Sequence, residues 1–298
     1  MPEFLIEMLN KQYGESLTNK IIEGYKEKRK VTFRVNTLKA RVEDIKQELL
    51  DNNIVFEDVP WSKEAFIINN VSEKEIRNLK VYENGKIYMQ NLSSMIPPIV
   101  LEPKEGTDIL DMAAAPGGKT TQIAALTNNK AHITACEMNK IRAEKLKYNI
   151  QKQGATSVFV MEEDSRKLND FFSFDQILLD SPCSGSGTLN FYDNNMLKNF
   201  TQILIQKSQK LQISLLEKAL KILKNGQEMV YSTCSILSCE NEDIINKVLQ
   251  NGKYEIVPIQ FNGMEDIPLL PTKTKGTICV MPTKEYEGFF VAKIKKIK

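Results

Sequence analysis

From about residue 91 the chain alternates two kinds of segment, and this alternation constrains its fold more than any other feature. Short apolar runs appear at TDILDM, AHITACE, SVFVM, FDQILLD and EMVYST. Segments with helical spacing lie among them: GGKTTQIAALTNN, NKIRAEKLKYNIQKQG up to Gly154, and QILIQKSQKLQISLLEKALKILKNG up to Gly226. ENEDIINKVLQNG then reads as a helix and GFFVAKI as a last strand. Apolar runs without polar alternation suit strands buried on both faces. Their alternation with helices predicts an α/β unit, a mostly parallel sheet covered on both sides. Right-handed crossovers would bring the strand ends used for binding to one edge.

The first 90 residues follow another rhythm. Phe4, Leu5, Met8, Leu9, Leu17, Ile21, Ile22 and Tyr25 mark an amphipathic helix to about residue 30. VTFRVNT reads as a strand, VEDIKQELLDNN as a helix, and IVFEDV, AFIIN and GKIYMQ as short strands. This predicts a small α+β domain at residues 1–90 ahead of the α/β domain at 91–298. A total of 298 residues suits two domains.

Composition removes several function classes. At 42% hydrophobic residues the chain is not disordered. No run approaches the roughly 18 apolar residues of a membrane span. The start, MPEFLIEMLNKQYGE, lacks a signal-peptide core, so no membrane association and a cytoplasmic location are expected. The five cysteines are odd in number and form no C-x-x-C pair, which argues against a disulfide framework or a zinc ribbon. No metal is expected. The single histidine, His132, sits in the apolar run AHITAC and is expected to be packed, which disfavours histidine-dependent hydrolases.

Net charge is only +2, so no global nucleic-acid signal exists. Basic residues do cluster at Lys26, Lys28, Arg29, Lys30 and Arg34. They recur along the long helix at Lys198, Lys207, Lys210, Lys218, Lys221 and Lys224, and in the tail KIKKIK. Such clusters are more often solvated faces than phosphate tracks, but they permit nucleic-acid binding.

Asp111-Met112-Ala113-Ala114-Ala115-Pro116-Gly117-Gly118-Lys119-Thr120 bridges the first strand and helix of the α/β unit. Small residues there let a ligand approach the backbone, and the helix start offers free N–H groups. A phosphate loop of the type G-x-x-x-x-G-K-[ST] would need glycine at 113 and finds Ala113. The G-x-G-x-x-G pattern is absent too. Glu137 ends the second strand, where a carboxylate can hold ribose hydroxyls. Asp164 follows the third strand, where an adenine amino group could be met, although Glu162 and Glu163 also make it part of an acidic turn. Asp180 and Cys183 follow the fourth strand in DSPCSGSG, and Cys234 follows the fifth in YSTCS. Two thiols and a carboxylate at one edge suggest covalent chemistry. Cys136, Cys239 and Cys279 carry no such context.

Together these segments resemble the Sun/Fmu-type (Nop/Nol-related) RNA cytosine-C5 methyltransferase family. The resemblance rests on TFRVNTLK (32–39), YMQNLSSM (88–95), DMAAAPGGKTTQIA (111–124), DSPCSGSGTL (180–189), YSTCSILSCENED (231–243) and EGFFVAK (287–293). It implies a Rossmann-like class I domain that uses S-adenosyl-L-methionine (AdoMet), with a small RNA-recognition-like domain in front. By motif position, Ala113, Ala114, Ala115, Pro116, Gly117, Gly118 and Lys119 would line the methionine moiety. Glu137 would take the ribose, Asp164 the adenine, and Arg142 and Asp180 complete the cofactor set. Cys234 would attack C6 of cytosine, which makes C5 nucleophilic. Cys183 would serve product release or act as base. Asp180 would stabilise N3, and Lys119 is the candidate cation beside the thiolate. In DNA cytosine methyltransferases a Pro-Cys cysteine attacks, so Cys183 is the rival nucleophile.

The partner implied is RNA, rRNA before tRNA, bound by a monomer, and the cytosine must be flipped or unpaired. A non-catalytic RNA-binding assembly factor on the same scaffold is the reading from another class. The chain departs from the family pattern at Asn190-Phe191-Tyr192-Asp193, at Ser238-Cys239, at Asn91 where Asp is common, and at Ala113 where Cys is frequent.

Overall fold

The computed structural model describes residues 1–250 and 252–298, with Asn194 described by its backbone alone. Helix α1 (Glu3–Lys26) is kinked at Gly14, whose φ of 78° lies in the left-handed region. It buries Leu5, Leu9, Ile21 and Tyr25 against the larger sheet, in one cluster with Leu110, Leu179 and Tyr231. Four short strands follow: β1 (Val31–Val35), β2 (Phe56–Val59), β3 (Ser62–Ile68) and β4 (Ile87–Met89). They pair antiparallel in the order β2-β3-β1-β4. Helix α2 (Val42–Asp51) places Ile45 and Leu49 with Phe33, Phe66 and Ile87 in a separate small core. Two short helices, α3 (Glu73–Arg77) and α4 (Lys80–Glu83), precede β4. Ser72 and Glu75 close a reciprocal capping box on α3.

The remaining strands form one sheet. Helix α5 (Leu92–Leu101) leads into β5 (Asp108–Asp111), α6 (Gly118–Leu126), β6 (His132–Cys136), α7 (Lys140–Gln153) and β7 (Val158–Met161). Then come β8 (Phe174–Asp180), α8 (Asn194–Asn199), α9 (Gln202–Ile222), β9 (Leu223–Thr233) and α10 (Glu242–Val248). The predicted extension of α10 over Asn251 lies outside the described residues. The chain closes with β10 (Tyr254–Val257), β11 (Leu269–Leu270), β12 (Ile278–Val280) and β13 (Phe289–Lys296). Strands run β7-β6-β5-β8-β9-β13, parallel as far as β9 and antiparallel at β13. The hairpin partners β12 and β10 pair successive halves of β13. This is the Rossmann-like α/β architecture, with the small α+β sheet in front.

The two units are fastened to each other. Asn36 Nδ2 donates to both Gly85 O at 2.8 Å and Gln153 O at 2.7 Å. Arg34, grouped by sequence with a basic surface cluster, is buried instead. Its guanidinium donates to Gln90 Oε1 and Gly118 O at 3.0 Å each, and to Thr121 Oγ1 at 2.7 Å. Three satisfied polar contacts offset the desolvation of a charge that would otherwise be costly. His132 also differs from expectation. It lies on β6, but its side chain is 80% exposed and faces Asp108 Oδ1 at 3.3 Å. It starts the strand at the edge opposite the ligand, where the apolar run has not yet entered the core. Helix α9 stops at Ile222, four residues before Gly226, because Leu223 already pairs with Phe174 as the first residue of β9.

Candidate active site

The ends of β5 and β8 open into a cavity of about 310 Å³ lined by Asp111, Ala113, Ala114, Ala115, Pro116, Gly118, Lys119 and Asp180. Tyr88, Gln90, Asn91 and Glu287 form its other wall. A smaller cavity of about 70 Å³ shares Ala113 and continues to Glu137, Arg142, Asp164 and Pro182. The turn between β5 and α6 makes this shape possible. The Ala115–Pro116 peptide is cis, and Gly117 has φ 107° as the residue capping α6. A Cβ on Gly117 would lie 3.0 Å from Leu146 Cδ1, so the position excludes a side chain on two grounds.

The two aspartates of the first cavity have different partners. Asp180 Oδ2 pairs with Lys119 Nζ at 2.7 Å, and its Oδ1 accepts from Ser232 Oγ at 2.8 Å. Lys119 Nζ also donates to Ser94 Oγ at 2.7 Å and lies 5.3 Å from the Phe289 ring centre. Asp111 is buried. Thr120 Oγ1 donates to its Oδ2 at 2.6 Å, while Oδ1 is buried with no partner among the described residues. Burial is the main cause that pushes the Asp111 carboxyl up to about 6, and the Asp180 charge adds to it.

In the second cavity Glu137 is almost fully buried. It accepts from Asn139 N at 2.9 Å and stands 3.4 Å from Arg142, which in turn donates to Ala115 O at 2.8 Å. Asp164 is gripped by Arg166, with Nε to Oδ1 at 3.0 Å and Nη2 to Oδ2 at 2.6 Å. That fork holds the Asp164 carboxyl below its ordinary range.

The two cysteines lie beyond Asp180 on adjacent loops, outside the linings of both cavities. Their sulfurs are 3.2 Å apart. Asp180 and Ser232 are direct partners across β8 and β9, so Cys183 and Cys234 start from the same level of the sheet. Glu240, fully buried, joins the two loops. It accepts from Ser184 N at 2.7 Å, Ser184 Oγ at 2.5 Å and Ser235 Oγ at 2.6 Å. Gly187 N donates to Cys234 O at 2.9 Å, and Gly288 N donates to Gly187 O at 2.8 Å. A Cβ on Gly187 would lie 2.0 Å from Gly288 O, so this backbone crossing admits only glycine. The Cys234 thiol, then burial, hold the Cys183 thiol well above its usual range. Burial pushes Cys136 and Cys279 up to about 12 and Cys239 to about 11, as for inert core thiols.

Sequence reasoning thus named residues that the fold gathers into two joined cavities and one thiol pair. Lys119, the candidate cation for the thiolate, is bound to Asp180 and Ser94 instead. Asn91 has a structural use for its oxygen: Oδ1 caps α5 through Ser93 N at 3.0 Å and also accepts from Glu287 N at 3.2 Å. Phe191, in the divergent stretch, packs on the catalytic core, and its N–H donates to Tyr25 O at 3.1 Å. Missed altogether were Asp111, Ser94, Ser232, Glu240 and Glu287. Asp111 carried a signal, an acid at a strand end immediately before the small-residue turn. Glu240 carried none, because it reaches both loops through tertiary packing.

The fold is that of the Rossmann-like methyltransferase class, with a ferredoxin-like domain in front. Residues 98–295 match the family 16S rRNA methyltransferase RsmB/F, and residues 1–73 match its methyltransferase RsmF/B-like, ferredoxin-like domain. The chain belongs to this family. It is 35% identical over 276 residues to ribosomal RNA small subunit methyltransferase F of Shewanella sp. (strain MR-7), covering 90% of this chain and 56% of that protein. The chain therefore spans little more than half the length of the curated relatives it matches. A methyltransferase homolog protein from Pyrococcus horikoshii superposes with a TM-score of 0.83 at 34% identity, covering 99% of this chain and all of that one. NSun6 from Pyrococcus horikoshii, solved with SFG, gives 0.87 at 26% identity and covers 100% and 98%.

Proposed function

We propose that this chain transfers a methyl group from AdoMet to C5 of a cytosine in RNA, through a covalent bond between Cys234 and C6. The observation that carries this reading is the thiol pair at 3.2 Å on the same sheet edge as the Asp180–Lys119 couple. The residues present suit AdoMet. Asp111 lines the first cavity, and its Oδ1, without a partner among the described residues, would receive an ammonium group. Glu137 stands in the second as a receiver for ribose hydroxyls. Ala113 to Gly118 would pass along the methionine chain, and Arg142 and Asp164 would border the nucleoside. When bound, AdoMet supplies an electrophilic methyl group.

The remaining steps belong to side chains. A thiol held protonated is a hydrogen-bond donor and a poor nucleophile. Cys183 fits that donor role towards Cys234, which leaves attack at C6 to Cys234. As the Cys234–C6 bond forms, the Cys234 proton passes to water, and the Lys119 ammonium, through the Asp180 carboxylate it pairs with, shares a proton with N3 as charge develops there. After methylation, water takes the C5 proton. The C5=C6 bond reforms, the Cys234–C6 bond breaks, and Cys183 donates to the departing sulfur.

The substrate we propose is small-subunit rRNA, in line with the name of the 35% identical relative, in the cytoplasm, with the protein acting as a monomer. Residues 1–90 form the RNA-facing domain, with α1 as its anchor on the catalytic domain at 91–298. Labelled AdoMet with total RNA tests the reading. Cys234→Ala should abolish transfer, whereas Cys183→Ala should accumulate a protein–RNA adduct. The reverse pattern would assign attack to Cys183. Bisulfite sequencing of rRNA and tRNA from a deletion strain identifies the substrate: loss of an rRNA mark supports the proposal, and loss of a tRNA mark replaces it.

A further inference from the structure

Two more cavities adjoin the active-site cavity through shared lining residues. One, of about 260 Å³, lies over the seam between the small sheet and α7 and is lined by Arg77, Tyr82, Pro116, Asn149 and Lys152. It shares Tyr88 and Met89 with the active-site cavity. The other, of about 290 Å³, is lined by Arg29, Lys30, Arg77 and Glu73. It shares Gln90, Asn91 and Glu287 with the active-site cavity. Arg77 and Met89 line both of these further cavities, so the two adjoin each other and form a groove along the small-sheet side of the active site.

The groove is positively charged. Its cations are Arg29, Lys30, Arg77 and Lys152. Of its acids, Glu73 is bonded to Arg77, Nε to Oε1 at 2.7 Å, and burial pushes the Glu287 carboxyl up. Lys152 has no carboxylate at ion-pairing distance among the described residues. Its Nζ lies 3.6 Å from the Tyr82 ring centre, and the Arg77 guanidinium lies 5.0 Å from that ring. Two cationic groups are thus held on one aromatic ring; Glu73 already pairs with Arg77, which leaves Lys152, among the described residues, as the cation open to an anion. At the far end, Arg29 Nη2 is buried without a partner among the described residues, while Nη1 donates to Gly24 O at 2.7 Å. Three of the lysines that the sequence grouped along α9 are engaged elsewhere. Lys218 and Lys221 pair with Asp170 at 2.5 and 2.6 Å, and Lys224 pairs with Asp175 at 2.8 Å. The seam needs no assembly on binding, because Asn36 already clasps Gly85 and Gln153.

We propose that this groove carries single-stranded RNA past the active site, with Arg77 and Lys152, bridged by Tyr82, clamping a backbone phosphate and Arg29 lining the continuation of the same path. The inference rests on RNA being the substrate. Tyr88, at the shared wall, is placed to stack on a base beside the flipped cytosine.

The test measures anisotropy of a short fluorescent single-stranded RNA of mixed sequence against the full chain over a range of salt. Arg77→Ala/Lys152→Ala should weaken binding about 10-fold or more. It should also flatten the slope of log affinity against log salt by about 0.7, the value for one phosphate on a single strand. AdoMet affinity and the thermal midpoint should stay unchanged, and Arg77→Lys/Lys152→Arg should retain binding. Lys152→Glu serves the same purpose should loss of Arg77 disturb α3. The exposed pair Lys207→Ala/Lys210→Ala on α9 should have no effect. An unchanged affinity and slope in a folded Arg77→Ala/Lys152→Ala protein overturns the clamp, as does a larger loss from the α9 pair. Methyl transfer separates the two readings. A wild-type chain that binds RNA through the groove yet transfers nothing sinks the proposed activity alone. A double variant that methylates with unchanged KM sinks the groove alone.

Discussion

The ends of β5 and β8 lie beside each other, and each carries an aspartate, yet the two carboxyls sit in opposite settings. Asp180 faces an ammonium group and a hydroxyl and is partly open to solvent. Asp111 is buried, has one hydroxyl partner, and keeps one oxygen unpartnered. A bare buried oxygen is costly unless a ligand completes it. A carboxylate already joined to the Lys119 ammonium is suited to relaying a proton from that ammonium to a reacting base. One residue type thus serves two purposes, separated by burial and by a single lysine. Removing Cys234, which stands beyond the Asp180 side, should have the largest effect of all, with no measurable transfer but intact AdoMet binding.

The comparison can be broken from either side. Lys119→Ala leaves Asp180 without its cation and should lower kcat about 10²- to 10³-fold. AdoMet affinity, measured by calorimetry, should change much less; a loss confined to AdoMet affinity would place Lys119 with the cofactor alone. Asp111→Asn should do the reverse, weakening AdoMet about 10-fold while kcat at saturation stays within a few-fold. Its pH signature is distinct. The wild-type carboxyl is protonated below about 6, so AdoMet affinity should fall as pH drops through about 6, and the Asn variant should show no such fall.

Stability runs in the opposite sense. The folded pKa is raised above 3.8, so the Asp111 contribution is fully present below about pH 4 and lost as pH rises through about 6. Denaturant unfolding of the ligand-free wild type, compared with Asp111→Asn, should therefore show the wild type losing ground over that window. The smallest effect is expected from Thr120→Val, which removes the one hydroxyl on Asp111. It should cost about 1 kcal/mol and move the affinity midpoint above 6. A midpoint that stays at about 6 would mean that Thr120 does not tune the carboxyl.

Much of this site was legible because its chemistry sits at strand ends, and strands of the α/β unit announce themselves as apolar runs. Asp180, Cys183, Cys234 and Glu137 could each be placed on one edge by that logic alone. Elements that form against local preference were not legible. Helix α5 contains Pro97 and Pro98, which read as breakers. Its burial beneath the sheet and its Asn91 cap outweigh the lost hydrogen bonds. Strands β10, β11 and β12 are short and gain their identity from pairing around β13. The basic clusters misled for a related reason. Charge pattern along a helix does not reveal that Asp170 and Asp175, in another segment, will meet Lys218, Lys221 and Lys224. Arg34 read as surface charge, yet it became the pin between β1 and the start of α6.

The early helix has a consequence for how the protein is made. Tyr25 Oη donates to Ser186 O at 2.6 Å, Tyr13 Oη donates to Ile236 O at 2.6 Å, and Gln12 Oε1 accepts from Ser238 N at 2.9 Å. During translation residues 12–25 emerge long before residues 186–238 exist. A growing chain must therefore keep the apolar face of α1 waiting, at risk of aggregation, until both cysteine loops have been synthesised. The same delay means that the Cys183 and Cys234 loops gain their bracing from α1 only once both have been synthesised.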